Sequence, residues 1–252
     1  MRKMAIAALT ALTLTGTLAA CGEQMSEAGI SAERLLGAQA DDANWLTYGR
    51  NYEEQRFSPL DAINTENVSE LGLVWSADMD TARGQEATPL VIDGVMYFTT
   101  AWSKVKAHNA ATGEEIWTYD PEVPGETGVK ACCDVVNRGL AAWGDNLFLG
   151  TLDGRLVKLD RETGAVEWEK VTVDQDQSYT ITGAPRVIDG KVLIGNGGAE
   201  FGVRGFFAAY DADSGDQLWK FYTVPGGDED ESSPEYLQKA AETWSGDVLG
   251  SE

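Results

Sequence analysis

The sequence predicts an all-β chain, a β-propeller of four-stranded blades with tryptophan docking motifs, and three observations carry that prediction. Asn109-Ala-Ala-Thr-Gly113-Glu-Glu-Ile-Trp117, Asp160-Arg-Glu-Thr-Gly164-Ala-Val-Glu-Trp168 and Asp211-Ala-Asp-Ser-Gly215-Asp-Gln-Leu-Trp219 align without gaps, with tryptophans spaced 168 − 117 = 51 and 219 − 168 = 51 residues apart. A hairpin-like stretch precedes each: Leu90 to Phe98 around Asp93-Gly94, Leu140 to Leu149 around Asp145-Asn146, and Val187 to Ile194 around Asp189-Gly190. No long helical period separates them. Four short strands in roughly 50 residues, closed by a tryptophan, is a propeller-blade pattern.

The elements follow in order from the N-terminus. Arg2 and Lys3 precede an apolar run from Met4 to Ala20, the charged and hydrophobic regions of a secretory signal over residues 1–20. Leu18-Ala19-Ala20-Cys21-Gly22 resembles a bacterial lipobox, which implies lipidation at Cys21; a plain signal peptide is the alternative. Residues 21–40 read as a tether or a short helix at most, and the propeller domain spans 41–252. Leu71-Gly-Leu-Val-Trp75 can form one outer strand. In each repeat Asp or Asn and Ser or Thr bond the backbone of a turn, Gly takes positive φ, and the tryptophan wedges between blades. After Trp219 come a polar loop over 225–234 and a short helix to Thr243. That makes about three and a half blades where propellers close with 4–8, so the chain is expected to be part of a longer one or to need a partner that completes the ring.

Composition removes several function classes. Of 252 residues 41 are acidic and 19 basic, a net charge of −22, and the only basic cluster lies in the first three residues, so nucleic acid is excluded as a partner. Hydrophobic residues make up 43%, enough for a core. With His108 as the single histidine there is no multi-histidine zinc site, and no Cys-x-x-Cys-His holds a c-type haem. His108 aligns with Leu159 and Tyr210 in the repeat and reads as a blade residue, which disposes of a triad hydrolase. Besides Cys21 the cysteines are the adjacent Cys132 and Cys133. Consecutive Cα atoms lie about 3.8 Å apart, closer than the usual disulfide range, so a strained eight-membered ring and two unpaired thiols both stay open.

Asn44-Trp45, Gly49-Arg50, Phe57-Ser58, Ile63-Asn64, Asn67-Val68 and Leu71 together resemble the N-terminal signature of pyrroloquinoline-quinone (PQQ) dependent alcohol dehydrogenases, and the Thr-Gly-x3-Trp repeats resemble their docking motif. The resemblance runs from about Asp42 to Gly246 and implies about half of an eight-bladed propeller, with PQQ and calcium on its axis. It implies that Glu86 bonds the cofactor, that Cys132 and Cys133 form a vicinal disulfide against one quinone face, that Val136 touches the cofactor and that Arg138 binds it. A guanidinium fork and a flat sulfur lid suit a planar tricarboxylate. It further implies a bonding hydroxyl at Thr182, with Thr180 a competing candidate, close backbone approach at Gly197, Gly198 and Ala199, and calcium ligation by Glu200.

By the same resemblance the stacking tryptophan, an asparagine calcium ligand and the aspartate base lie beyond Thr243-Trp244-Ser-Gly-Asp247, so Trp244 is not assigned and no catalytic residue is expected in this chain. The implied activity is oxidation of a primary alcohol by hydride transfer to PQQ, with electrons passing to an acceptor such as a cytochrome c or a quinone, in a periplasmic protein meeting the membrane only through its lipid anchor. Residues 1–252 alone are expected neither to turn over alcohols nor to bind PQQ tightly. A cofactor-free alternative is a lipid-anchored propeller scaffold for outer-membrane protein assembly. Such a scaffold has no reason to carry Cys132-Cys133 ahead of Arg138, or Glu200 after a glycine pair.

Overall fold

Three four-stranded antiparallel sheets follow one another along the chain in the computed structural model, which describes residues 29–225 and 234–243. The first blade consists of β1 (Leu90–Ile92), β2 (Val95–Thr99), β3 (Val105–Asn109) and β4 (Glu115–Tyr119). The second consists of β5 (Ala141–Trp143), β6 (Asn146–Gly150), β7 (Arg155–Asp160) and β8 (Val166–Val171). The third consists of β9 (Arg186–Ile188), β10 (Lys191–Gly195), β11 (Phe206–Asp211) and β12 (Gln217–Tyr222). Each sheet pairs its strands in chain order, as the hairpin reading expects.

Period-2 alternation explains why the sheets stack. Leu147 and Leu149 of β6 join Leu90, Ile92, Val105 and Val157 in one core between the first two blades, while Phe148 turns the other way to join Leu156, Val192, Phe206 and Ala208 between the second and third. The repeat turns are built as their residues require. Asn109 Oδ1 accepts from the Thr112 N–H at 3.0 Å, Asp160 Oδ1 from Thr163 at 2.7 Å and Asp211 Oδ1 from Ser214 at 2.8 Å. Just before each turn a bulge shifts the register at Ala107/His108, Lys158/Leu159 and Ala209/Tyr210, again one repeat apart.

The tryptophans lock neighbouring blades. Trp75 Nε1 donates to the Ala110 carbonyl at 3.1 Å and Trp117 Nε1 to Arg161 at 3.1 Å, each ring lying over the turn glycine of the next blade. Trp168 lies over Gly215 in the same way, whereas Trp219 is 41% exposed with no further blade beside it among the described residues.

Two expectations are corrected. Leu71 to Trp75 is not a strand: it has no strand beside it to complete its backbone bonds among the described residues, and Leu73 and Val74 are more than four-fifths exposed at 85% and 84%, although Trp75 still docks. Of the segment expected to be a tether or a short helix, residues from Ile30 onward are packed structure. Ile30 and Gly144 exchange backbone bonds of 2.8 Å, and Ser31 caps the five-residue helix α1 (Ala32–Leu36), whose Leu35 is buried. Arg34 reaches Asp93 of the β1–β2 turn at 2.6 Å. From there the chain pairs Trp45 with Val91, sends the Tyr52 hydroxyl to the Val187 carbonyl at 2.9 Å and ion-pairs Glu54 with Arg186. Residues 30–54 are thus a strap across all three blades. A short helix α2 (Glu235–Ala241) follows as expected, its Tyr236 stacked on Phe221 at 4.8 Å. The signal segment, Cys21 and Trp244 to Asp247 lie outside the described residues.

Candidate functional site

The site is built on the segments that lead into the three innermost strands. Glu86, Asn137 and Thr182 each stand four residues before the start of β1, β5 and β9 (90 − 86, 141 − 137 and 186 − 182 all equal 4). These segments bond one another: the Thr88 N–H donates to the Arg138 carbonyl at 3.2 Å, and the Arg138 N–H donates to the Thr182 carbonyl at 2.9 Å. The ladder brings three of the expected cofactor residues together. Arg138 Nη2 pairs with Glu86 Oε2 at 2.8 Å and Nη1 donates to Thr182 Oγ1 at 2.6 Å, with the Arg138 and Glu86 side chains 35% and 43% exposed. Of the competing threonines, Thr180 is buried and exchanges backbone bonds of 3.3 and 2.7 Å with Gly197. Thr182 is the one that joins Arg138.

Cys132 and Cys133 are joined as a vicinal disulfide with Cα atoms 3.8 Å apart, and both residues are exposed. The following Asp134 has φ 70° and ties the pair to the segment before Glu86, accepting from Arg83 Nη1 at 2.8 Å and from the Gly84 N–H at 3.4 Å. The Val135 N–H foremost, then Gly84 and Arg83, hold its carboxyl below the usual range against some desolvation. Val136 is 1% exposed, its Cγ1 packed 3.4 Å from where a Cβ on Gly84 would sit.

Gly197 and Gly198 pack so closely on the Ser178–Thr180 segment that neither position has room for a side chain. A Cβ on Gly197 would lie 3.0 Å from Thr180 Oγ1, and one on Gly198, whose φ is 105°, would collide with the Ser178 carbonyl. Ala199 and Glu200 follow in an exposed 3-10 turn, Ala199–Phe201. No three His, Cys, Asp or Glu side chains cluster among the described residues, so Glu200 offers a single carboxylate where calcium takes 6–8 oxygens. A cavity of about 530 Å³ opens here, lined by Thr182, Gly183, Ala184, Asn196 and Gly197 and bounded by the Glu54–Arg186 pair. It falls within the usual size of ligand pockets. Glu86, Arg138 and the disulfide are outside this lining and connect to it through Thr182.

Sequence reasoning missed Asn137, whose buried amide bonds both flanking blades, and the strap residues Glu54 and Tyr48, the latter lying 4.4 Å below the Arg186 guanidinium. The signal for Asn137 was its repeat position, shared with Glu86 and Thr182. His108, read as a blade residue, is 3% exposed on β3, its Nδ1 3.0 Å from the Gly113 carbonyl and its ring between Trp75 and Phe98.

Residues 45–248 match the family model described as "PQQ: Glucose/ethanol/alcohol dehydrogenase, beta-propeller domain". A protein described as quinohemoprotein alcohol dehydrogenase ADH IIB, from Pseudomonas putida, is 51% identical over 247 residues, covering 98% of this chain and 35% of that protein. The 1-butanol dehydrogenase (cytochrome c) of Thauera butanivorans is 53% identical over 221 residues, covering 84% of this chain and 31% of its own length. Among solved structures, quinohemoprotein alcohol dehydrogenase ADHIIG of Pseudomonas putida HK5 superposes with a TM-score of 0.82 at 50% identity, covering 86% of this chain and 32% of that one. The chain therefore spans about a third of the length of these relatives.

Proposed function

Because the chain belongs to the family of PQQ-dependent alcohol dehydrogenase β-propellers, we propose that it supplies one side of the PQQ and calcium site of a periplasmic enzyme that oxidises a primary alcohol. The observation that carries this reading is Arg138 joined to both Glu86 and Thr182 on the backbone ladder that leads into the inner strands.

The residues fit the group chemically. Arg138 uses one contact on each terminal nitrogen and has further N–H donors in its fork, which suits a carboxylate of a planar tricarboxylate. Glu86 holds the guanidinium in place. The Thr182 hydroxyl, at the rim of the cavity, can bond a second polar edge. Gly197 lines the cavity, and its closeness to Thr180 leaves no room for a Cβ there. The exposed Cys132–Cys133 pair offers a rigid polarizable surface that excludes water from one face. Glu200 is the hard oxygen donor this chain would give to calcium. When bound, PQQ supplies the quinone that accepts hydride from the alcohol, and calcium supplies a Lewis acid.

An acceptor of the cytochrome c or quinone class would take up the electrons; one relative is described as cytochrome c-linked. Anchoring through lipidated Cys21 belongs to the same reading. The scaffold alternative leaves the Glu86–Arg138–Thr182 cluster without a role.

Because residues 1–252 alone are expected to be inactive, the test is alcohol-dependent dye reduction by a protein in which this chain is extended to the length of its relatives. Activity that requires both added PQQ and calcium, and that falls with Arg138→Ala, is the expected result. Activity indifferent to PQQ, or none under any loading, overturns the proposal. Fractionation of a Cys21→Ser variant, expected to leave the membrane fraction, tests the anchor.

A further inference from the structure

We infer that Asn137 is a positioning residue that sets Arg138, and with it the disulfide turn, against both flanking blades. The inference rests on the reading that Arg138 binds the cofactor.

Asn137 occupies the repeat position held by Glu86 in the first blade and Thr182 in the third, yet its side chain is 2% exposed and turns inward. Its Nδ2 donates to Ser103 Oγ at 3.1 Å and to the Gly150 carbonyl at 2.8 Å, and its Oδ1 accepts from the Gly139 N–H at 3.0 Å. Both amide donors are therefore used, on two different blades: Ser103 lies in the β2–β3 connection of the first, Gly150 at the end of β6 in the second. The third bond closes over Arg138, because Gly139 is the residue beyond it. Thr99 Oγ1 adds a bond of 3.3 Å to the Asn137 carbonyl.

Ser103 is itself held in an unusual state. It and Trp102 have φ 59° and 65°, consecutive non-glycine residues in the left-handed region, a conformation that persists only where the surroundings hold it. The surroundings hold both. Ser103 Oγ also accepts from the Leu152 N–H at 3.0 Å, and the Trp102 N–H donates to the Val135 carbonyl at 2.9 Å, two residues from the disulfide. The kink presents one oxygen to Asn137 and one N–H to the disulfide turn. Arg138 is thus bracketed by Val135 and Gly139, leaving its guanidinium to reach Glu86 and Thr182 at a fixed height.

The test is a double-mutant cycle on a protein in which this chain is extended to the length of its relatives, stripped of PQQ and titrated with PQQ in the presence of calcium. Asn137→Ala should weaken binding about tenfold to a hundredfold when Arg138 is present, as loss of an orienting partner does, but by less than about threefold in an Arg138→Ala background. An equal loss in both backgrounds makes Asn137 merely structural and overturns the inference, as does no loss in either. Should Asn137→Ala fail to fold, Ser103→Ala, which removes one of its partners, is read in the same cycle. Amide exchange supplies a readout independent of the cofactor: Asn137→Ala should raise exchange at Arg138 and Gly139 about tenfold or more, corresponding to one lost buried bond, while Arg138→Ala leaves the Gly139 amide protected. If neither parent nor Arg138→Ala binds PQQ, the cofactor reading fails, and the exchange result alone decides whether Asn137 positions this turn. Unchanged exchange then overturns it.

Discussion

Replacing Gly164 by alanine tests the blade-docking contact against an internal control. Gly164 has φ +73°, and a Cβ there would sit 2.6 Å from Cε3 and 2.7 Å from Cδ2 of Trp117, whose ring and backbone leave little room to move. Gly94 has a similar φ of +82° and nothing within 4 Å of the Cβ position. Both substitutions force an L-residue into the left-handed region, at about 1–2 kcal/mol. Only Gly164→Ala adds overpacking, about 1–3 kcal/mol. The backbone term cancels between the two variants, so the difference measures the tryptophan contact. Gly164→Ala should be less stable than Gly94→Ala by about 1–3 kcal/mol, a gap of about 2–12 °C in Tm for a domain of this size. Gly215→Ala should fall between them, because one of its two close neighbours is the flexible Lys170 stem. Thermal and urea unfolding of the three variants, followed by tryptophan fluorescence, reads the order directly. Equal destabilisation at Gly164 and Gly94 would mean that Trp117 yields freely and that the docking account is wrong.

The remaining predictions concern the site and the strap. Arg138→Lys keeps the charge but loses the fork that reaches Glu86 and Thr182 together, so PQQ affinity should drop about tenfold or more; titration giving the parent affinity would count against the fork. Asp134 has a folded pKa below its unfolded value, about 3.9 for Asp, so its stabilisation of the disulfide turn is complete above that value and is lost as pH falls through the folded pKa. Reduction of Cys132–Cys133 by a phosphine should therefore accelerate below about pH 4 in the parent and not in Asp134→Asn; identical pH profiles would sink the idea. Tyr52→Phe removes the 2.9 Å bond to Val187 and should lower stability by about 0.5–1.5 kcal/mol, with proteolysis of the 44–57 segment quickening in step. Unchanged proteolysis would show that the strap is held elsewhere.

The repeat was legible because its signal is local. An Asx-type turn, a glycine at positive φ and a tryptophan four residues later are each specified within nine residues, and the same arrangement occurs three times. The strap was not legible for the converse reason. Ile30, Leu35, Ala38 and Leu46 have no sustained period, and Gly144 and Asp93, the partners of Ile30 and Arg34, are far along the chain. Leu71 to Trp75 misled because alternation describes what a strand can bury, while the strand itself needs a neighbour for its backbone bonds. At the site, the residue types of Glu86 and Arg138 alone carry no sign that the two meet. Their junction became visible in sequence only through a family pattern, and in the structure through the inter-blade ladder.

That ladder explains why the chemistry collects where the repeat breaks. Blade turns and docking tryptophans repeat because each must meet the same steric demand from its neighbour. The positions four residues before the inner strands meet one another, near where the blades converge, and carry no such common demand. There the repeat holds three different side chains: Glu86, Asn137 and Thr182. Symmetric backbone bonds keep these positions in register, as the Thr88–Arg138 and Arg138–Thr182 pairs do. An asymmetric ligand needs unlike groups at like positions, and a repeated scaffold can supply them because the backbone alone sets the register. Asn137 makes the point most sharply, since it spends its own position on internal bonds and passes the outward role to Arg138 beside it. A glutamate there would put an unpaired charge beside the Gly150 carbonyl, and a threonine would leave that carbonyl without its donor. On the proposed reading, the same repeat position serves the ligand directly in the first and third blades and indirectly in the second.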